Sequence, residues 1–366
     1  QFYSYLMGSP TVSMYDSTGK MIYFPLTECS WLDFPGFLSK LLGDDEVYES
    51  KDYSLDGTVK TLQQTTVGNG IDVVLMGDGY SDRMVADGTY DQIMNSAMEK
   101  LFTEEPYKTF KNHFNVYSVT AISKNEVYSD STTTAFAGYF GEKSNVGGND
   151  SAVFEYAKKA IGEDRLDNAL LIVMMNSINN NAGTCYMYQS TTGDYGNGVS
   201  VSYFPVGNNG AELEQVLHHE ACGHGFAKLG DEYAYEDYGQ ISSDLIESHK
   251  AMEPYGWWKN VDFTNDPAQV KWAKFLADPR YQNVGLGVFE GGLTYRRGVW
   301  RPTENSIMRY NTGGFNAPSR EAIYYRIHKL AYGAEWQYDY EKFVEWDAIN
   351  RASATQSKAM PLVLDP

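Results

Sequence analysis

The chain has 366 residues, 42% hydrophobic and 21% charged, with 29 tyrosines and 17 phenylalanines, a globular composition with ample material for a core. Single cores stop growing near roughly 250–300 residues, so one large domain with a small companion is expected. A formal charge of −19 without a Lys/Arg cluster disfavours partners gripped through phosphates, so no nucleic acid is expected. No run of about 18 apolar residues is present to span a membrane.

Residues 1–58 hold short β-like runs, Thr11–Tyr15 and Lys20–Phe24, separated by the turn-forming Asp16-Ser17-Thr18-Gly19. An acidic stretch with Gly43 and Gly57 reads as a linker, giving a small β-rich module over 1–58 and a catalytic domain over 59–366. Ile71–Met76 reads as a strand, and Ile93, Met94, Ala97, Met98 and Leu101 have helical spacing. Asn115–Thr120 is a second strand, Ala152–Ile161 a helix, and Ala169–Met175 a strand apolar enough to be buried on both faces. This succession predicts an α/β domain with a mixed, largely parallel sheet. Val199–Phe204 ends at Pro205, which suits an edge strand because proline cannot donate to a central ladder. A helix comes next, capped by Asn208 or Asn209, with Leu213, Val216 and Leu217 on its apolar stripe.

That helix leads into His219-Glu220-Ala221-Cys222-Gly223-His224. Two imidazoles and a carboxylate in one segment are what a catalytic Zn2+ site needs: nitrogen ligands, and a base for an attacking water. The usual His-Glu-x-x-His spacing puts both rings on one helix face. Here the histidines stand at i and i+5, roughly 140° apart on a regular helix at about 100° per residue. A π-bulge at Ala221–Gly223, eased by the glycine, would bring His224 back to the face of His219. Glu220 is then the general base. Leu229-Gly230-Asp231-Glu232-Tyr233 ends the helix and supplies two carboxylates; Asp231 is the first choice for third ligand and Glu232 the alternative, the other one orienting a ligand imidazole.

Asn305-Ser306-Ile307-Met308-Arg309-Tyr310 resembles the turn that, in the metzincin peptidases, places a methionine beneath the metal. The resemblance implies a zincin-like catalytic domain with Met308 as the floor and Tyr310 as a catalytic oxyanion partner. More closely, the chain resembles the M64, IgA-peptidase-like metallopeptidases through Met76–Ser81, the histidine helix to Tyr233, Val288–Gly292, Gly298–Pro302 and the Met308 turn, over roughly residues 60–330. The third ligand of metzincins, six residues after the second histidine, would fall on Gly230, which has no side chain to offer; hence Asp231. The His-Glu-x-x-Gly-His spacing also resembles that of dipeptidyl-peptidase III, a zinc exopeptidase in which a later Glu completes the site, here Glu236 or Glu247.

These readings converge on a zinc-dependent peptidase, an endopeptidase acting on extracellular proteins or peptides, and monomeric. Because the chain begins at Gln1 without a leader, a mature secreted, cell-surface or periplasmic protein is expected. The non-enzymatic alternative is a glycan- or protein-binding surface protein with a vestigial metal site. Among the remaining candidates, Asp78 is read as shaping a loop in preference to binding calcium, Arg320 as structural or paired with an active-site carboxylate, and His113, His249 and His328 as non-ligands. Three cysteines, Cys29, Cys185 and Cys222, permit at most one disulfide.

Overall fold

A computed structural model of the protein describes residues 2–6, 9–15, 21–25, 47–142, 145–178, 183–207 and 210–351. The Asp16–Gly19 turn, Cys29, Gly43 and the caps Asn208 and Asn209 lie outside the described residues. The chain divides into two compact units, Gln1–Tyr48 and Glu49–Pro366. The first carries a three-stranded antiparallel sheet in the order β1 (Phe2–Leu6), β2 (Ser9–Tyr15), β3 (Met21–Pro25).

In the second unit, residues 49–58 are tied to the body of the domain. The Ser50 N–H donates to the Lys124 carbonyl at 2.8 Å, and the Tyr156 hydroxyl donates to Asp56 at 2.7 Å. The strands of this unit are β4 (Val59–Gln63), β5 (Ile71–Asp78), β6 (Phe114–Val119), a small hairpin of β7 (Tyr139–Phe140) and β8 (Val146–Gly147), β9 (Leu170–Met175), β10 (Thr184–Met187) and β11 (Ser200–Pro205). Six of these form one sheet in the order β10-β11-β9-β5-β6-β4. Its four middle strands are parallel, and β10 and β4 run antiparallel at the two edges.

Alternation along the middle strands feeds two cores. Val73, Leu75, Leu170 and Ile172 face one layer, with α1 (Thr89–Leu101) and the histidine helix. Val74, Met76, Leu171 and Val173 face the other, with α2 (Asp150–Ile161). Both faces are therefore covered, which explains why β5 and β9 are apolar along almost their whole length. Asn149 starts α2 by accepting from the Ala152 N–H at 3.2 Å.

The strand ending at Pro205 is not an edge. β11 lies between β9 and β10 and is buried throughout. Proline is tolerated because the β10 ladder covers only Ser200 to Tyr203, so Pro205 extends past the last residue that must donate on that side.

After β11 come α3 (Gly210–Leu217), a π-helical segment His218–Phe226, α4 (Ser243–Met252), a second hairpin of β12 (Phe289–Gly292) and β13 (Tyr295–Arg301), α5 (Ala317–Tyr332) and α6 (Tyr340–Trp346). Arg320 on α5 pairs with Asp347, just past α6, through Nε to Oδ1 at 2.6 Å and Nη2 to Oδ2 at 2.9 Å. It braces these two helices and pairs with no carboxylate of the metal cluster. Asp78 is buried and accepts from Thr134 Oγ1 at 2.9 Å and the Phe136 N–H at 2.7 Å, so it organises the 134–138 loop as expected.

Candidate metal centre

The helix that begins at Gly210 changes register at His218 and runs to Phe226 as π-helix. The anticipated one-residue bulge at Ala221–Gly223 is thus a nine-residue π segment. With i→i+5 bonding, a residue five positions on returns to the same face, and the unusual histidine spacing becomes productive. The Nε2 atoms of His219 and His224 lie 3.1 Å apart.

Gly223 owes its identity to packing. A Cβ added there would penetrate the sulfur of Met308 and lie 3.0 Å from its Cε. Met308, fully buried, therefore presses directly on the backbone between the two histidines. Gly225 plays a similar part on the sheet side, where an added Cβ would sit 2.9 Å from both Leu170 Cδ1 and Ser200 Oγ. The π segment is clamped between the sheet and the Met308 turn.

His219 Nδ1 donates to the Ile307 carbonyl at 2.8 Å, and His224 Nδ1 donates to the Leu229 carbonyl at 2.7 Å. A carbonyl can only accept, so each neutral ring carries its lone pair on Nε2. Those two lone pairs converge with Asp231 Oδ1, which is 3.1 Å from each Nε2. Three acceptors in one triangle require a positive centre between them. Burial disfavours a charged His224, but the Asp231 carboxylate beside it outweighs that and carries the imidazole up to about 9. Burial likewise opposes the Asp231 carboxylate, and His224 and His219 nevertheless hold it well below the usual range.

The same donor set fits a metal cation. Tetrahedral bonds of roughly 2.0–2.1 Å place ligand atoms about 3.3–3.4 Å apart, close to the 3.1 Å edges seen here. Among the described residues, His219, His224 and Asp231 are the group whose side chains could hold a metal. Glu236 and Glu247 are exposed and outside it.

Glu232 is not an acceptor for either imidazole, because backbone carbonyls already fill that role. It is fully buried and takes hydrogen bonds from Ser306 Oγ at 2.7 Å, Asn260 Nδ2 at 2.9 Å, and Asn316 Nδ2 at 2.8 and 3.0 Å. Its N–H donates to the Met308 carbonyl at 2.8 Å. One carboxylate thus joins the Asp231 loop, the Met308 turn and the cap of α5. Asn260 adds a second tie, exchanging 2.8 Å bonds with the Gly230 N–H and carbonyl. At Gly230 itself an added Cβ would lie 2.6 Å from Leu293 Cδ2, so a side chain there would displace that leucine.

Glu220 is partly buried beside the cluster. Burial raises its carboxyl above the ordinary glutamate range, against the pull of His219 and His224. Tyr310 stands at the open end of the Met308 turn, 58% exposed, with the Arg309 guanidinium over its ring at 4.5 Å. Tyr233 carries no motif of its own in the sequence, yet its ring lies 6.3 Å from that of His219. Its place directly after the two carboxylates is the available signal. His113 and His328 lie in an aromatic cluster with Phe110, and His249 against Trp258. Cys185 and Cys222 are free thiols.

This α/β domain converges two imidazoles and a carboxylate on one point, a group that could hold a metal ion. The sequence model of the IgA peptidase M64 family matches residues 60–281, more than half of the chain, and the chain belongs to that family. It is therefore placed among peptidases, with protein or peptide as substrate. No curated protein matches the chain. No helix among the described residues is long and apolar enough to cross a membrane.

Proposed function

We propose that the protein is a zinc endopeptidase of extracellular proteins, with His219, His224 and Asp231 as the metal ligands and Glu220 as the general base. The observation that carries this reading is the triangle of Nε2, Nε2 and Oδ1 with 3.1 Å edges, whose lone pairs are aimed inward by two backbone carbonyls. Zinc held there supplies Lewis acidity, polarising the scissile carbonyl and acidifying water.

The chain's own groups do the rest. Glu220 takes the proton of the attacking water on its carboxylate and passes it to the leaving nitrogen. Tyr310 is assigned as the oxyanion donor, its exposed position leaving the hydroxyl able to turn toward a bound peptide. Edge strand β10, half-buried and adjacent to Glu220, offers a backbone on which an extended peptide can pair.

Met308 against Gly223 supports a metzincin-like arrangement of the domain. We assign catalysis to residues 59–366, with 49–58 fastened to that domain, and treat 1–48 as a separate module. The test combines metal analysis with Glu220→Gln. The expected outcome is zinc in both proteins and cleavage of denatured protein substrate reduced by roughly 10² or more in the variant. Zinc-free wild type that cleaves nothing would contradict the reading.

A further inference from the structure

The histidine helix ends in a reversal at Lys228. This residue has φ 52°, the left-handed region that closes helices and favours glycine. Its N–H donates to the His224 carbonyl, and the Leu229 N–H to the Gly223 carbonyl, both at 3.1 Å. The chain then turns back, so that the Leu229 carbonyl accepts from His224 Nδ1 at 2.7 Å and Asp231 Oδ1 comes within 3.1 Å of both Nε2 atoms. One residue in an uncommon conformation thus stands between the second histidine and the groups that orient and join it.

The side chain of Lys228 explains why a lysine occupies this place. It folds back into the interior, fully buried, and its amino group donates to the Gly225 carbonyl at 2.5 Å. A helix leaves its last carbonyls without partners in its own ladder. Here Cys222 O receives the Tyr107 hydroxyl at 2.7 Å and the Ala227 N–H at 3.3 Å, Gly223 O and His224 O receive the N–H groups of the reversal, and Gly225 O receives Lys228. Gly196 leaves room for the stem, since a Cβ added there would lie 3.2 Å from Lys228 Cγ. The amino group is 5.6 Å from the Trp257 ring centroid. The Lys228 carbonyl accepts from the Trp258 N–H at 3.0 Å, and Trp258 is itself left-handed at φ 59°. Two such residues in succession persist only where their surroundings over-determine them. Burial and the neighbouring Arg326 guanidinium lower the Lys228 pKa, and the amine can donate to a carbonyl in either protonation state.

We propose that Lys228 is a positioning residue for the metal centre: its backbone makes the reversal and its amino group holds it closed, so that the fold itself aims His224 and Asp231. The proposal rests on these two residues being ligands and adds what fixes their geometry. His219 provides the contrast within the same site. Its Nδ1 donates to the Ile307 carbonyl at 2.8 Å, a contact on the Met308 turn that does not pass through Lys228. Loss of the amino group should therefore loosen one imidazole and spare the other.

The test compares wild type with Lys228→Met, which keeps the stem and loses the donor, and Lys228→Gly, which loses the donor and adopts a left-handed backbone without strain. Val153→Ala, a cavity in the core layer across the sheet, controls for general destabilisation. In competition with a chromophoric chelator, zinc affinity is expected to fall about tenfold or more in both Lys228 variants. In Val153→Ala it should stay within about twofold of wild type, as the site is distant. NMR of the metal-free proteins, with isotope-labelled histidine, should show the His224 Nδ1–H signal weakened by solvent exchange in both Lys228 variants while that of His219 is retained. Unchanged affinity in both variants, an equal fall in Val153→Ala, an undisturbed His224 signal, or loss of both imidazole signals together would overturn the proposal. Should Lys228→Met fail to fold, Lys228→Gly carries both measurements. A wild type that takes up no zinc would overturn the ligand assignment instead, and the metal-free His224 signal would still decide whether Lys228 positions that ring.

Discussion

Replacing Gly223 by alanine perturbs the site at one atom. The new Cβ would collide with Met308 Sδ and crowd its Cε at 3.0 Å. A thioether end normally swings aside, but Met308 is fully buried within the main core cluster beside Ala221 and Ile307, so it has no free volume to enter. Overpacking of this kind costs typically ~1–3 kcal/mol. Met308→Ala alone opens a cavity and should cost about 2–5 kcal/mol. The double variant puts a methyl at 223 into space vacated at 308, so its loss should fall short of the sum by ~1 kcal/mol or more. Equilibrium urea unfolding of the four proteins, each saturated with zinc, measures this coupling. Additive losses would show that Gly223 and Met308 do not share a contact, and the explanation for the glycine would fail.

Asp231→Asn keeps the side chain's shape but weakens the anionic ligand, and competition with a chromophoric chelator should show zinc affinity lower by at least about tenfold. Glu232→Gln leaves the donors of Ser306, Asn260 and Asn316 facing an amide that can accept through one atom only; chemical denaturation should show a loss of about 1–3 kcal/mol. Burial lowers the pKa values of both His113 and His328 below the ordinary histidine value. The unfolded chain therefore binds protons first as pH falls below about 6.5, so these residues' contribution is complete above that value and is lost toward their folded pKa values. Urea midpoints at pH 7.5 and 5.5 should differ more for wild type than for His113→Gln/His328→Gln; equal differences would exclude the pair as the source.

Local pattern makes much of the catalytic unit legible. Ile71–Met76 and Ala169–Met175 are nearly continuous apolar runs because both faces of their strands are covered, and their spacing with the intervening helices implies a parallel centre. Val199–Phe204 reads wrongly as an edge because Pro205 looks like an edge marker, and the strand that covers it, Thr184–Met187, is short and mixed in character. The i and i+5 histidines announce a departure from α-helix, but not its nine-residue length, and the contacts at Gly223 and Gly225, from Met308, Leu170 and Ser200, come from residues distant in sequence. The role of Glu232 is hidden for a similar reason: its donors come from residues 260, 306 and 316.

The most direct test of the central assignment is an anomalous-difference map collected at the zinc edge from crystals of the zinc-loaded protein. The predicted result is one strong peak near full occupancy, about 2.0–2.2 Å from His219 Nε2, His224 Nε2 and Asp231 Oδ1. A peak elsewhere, or none while zinc is present in the crystal, would contradict it.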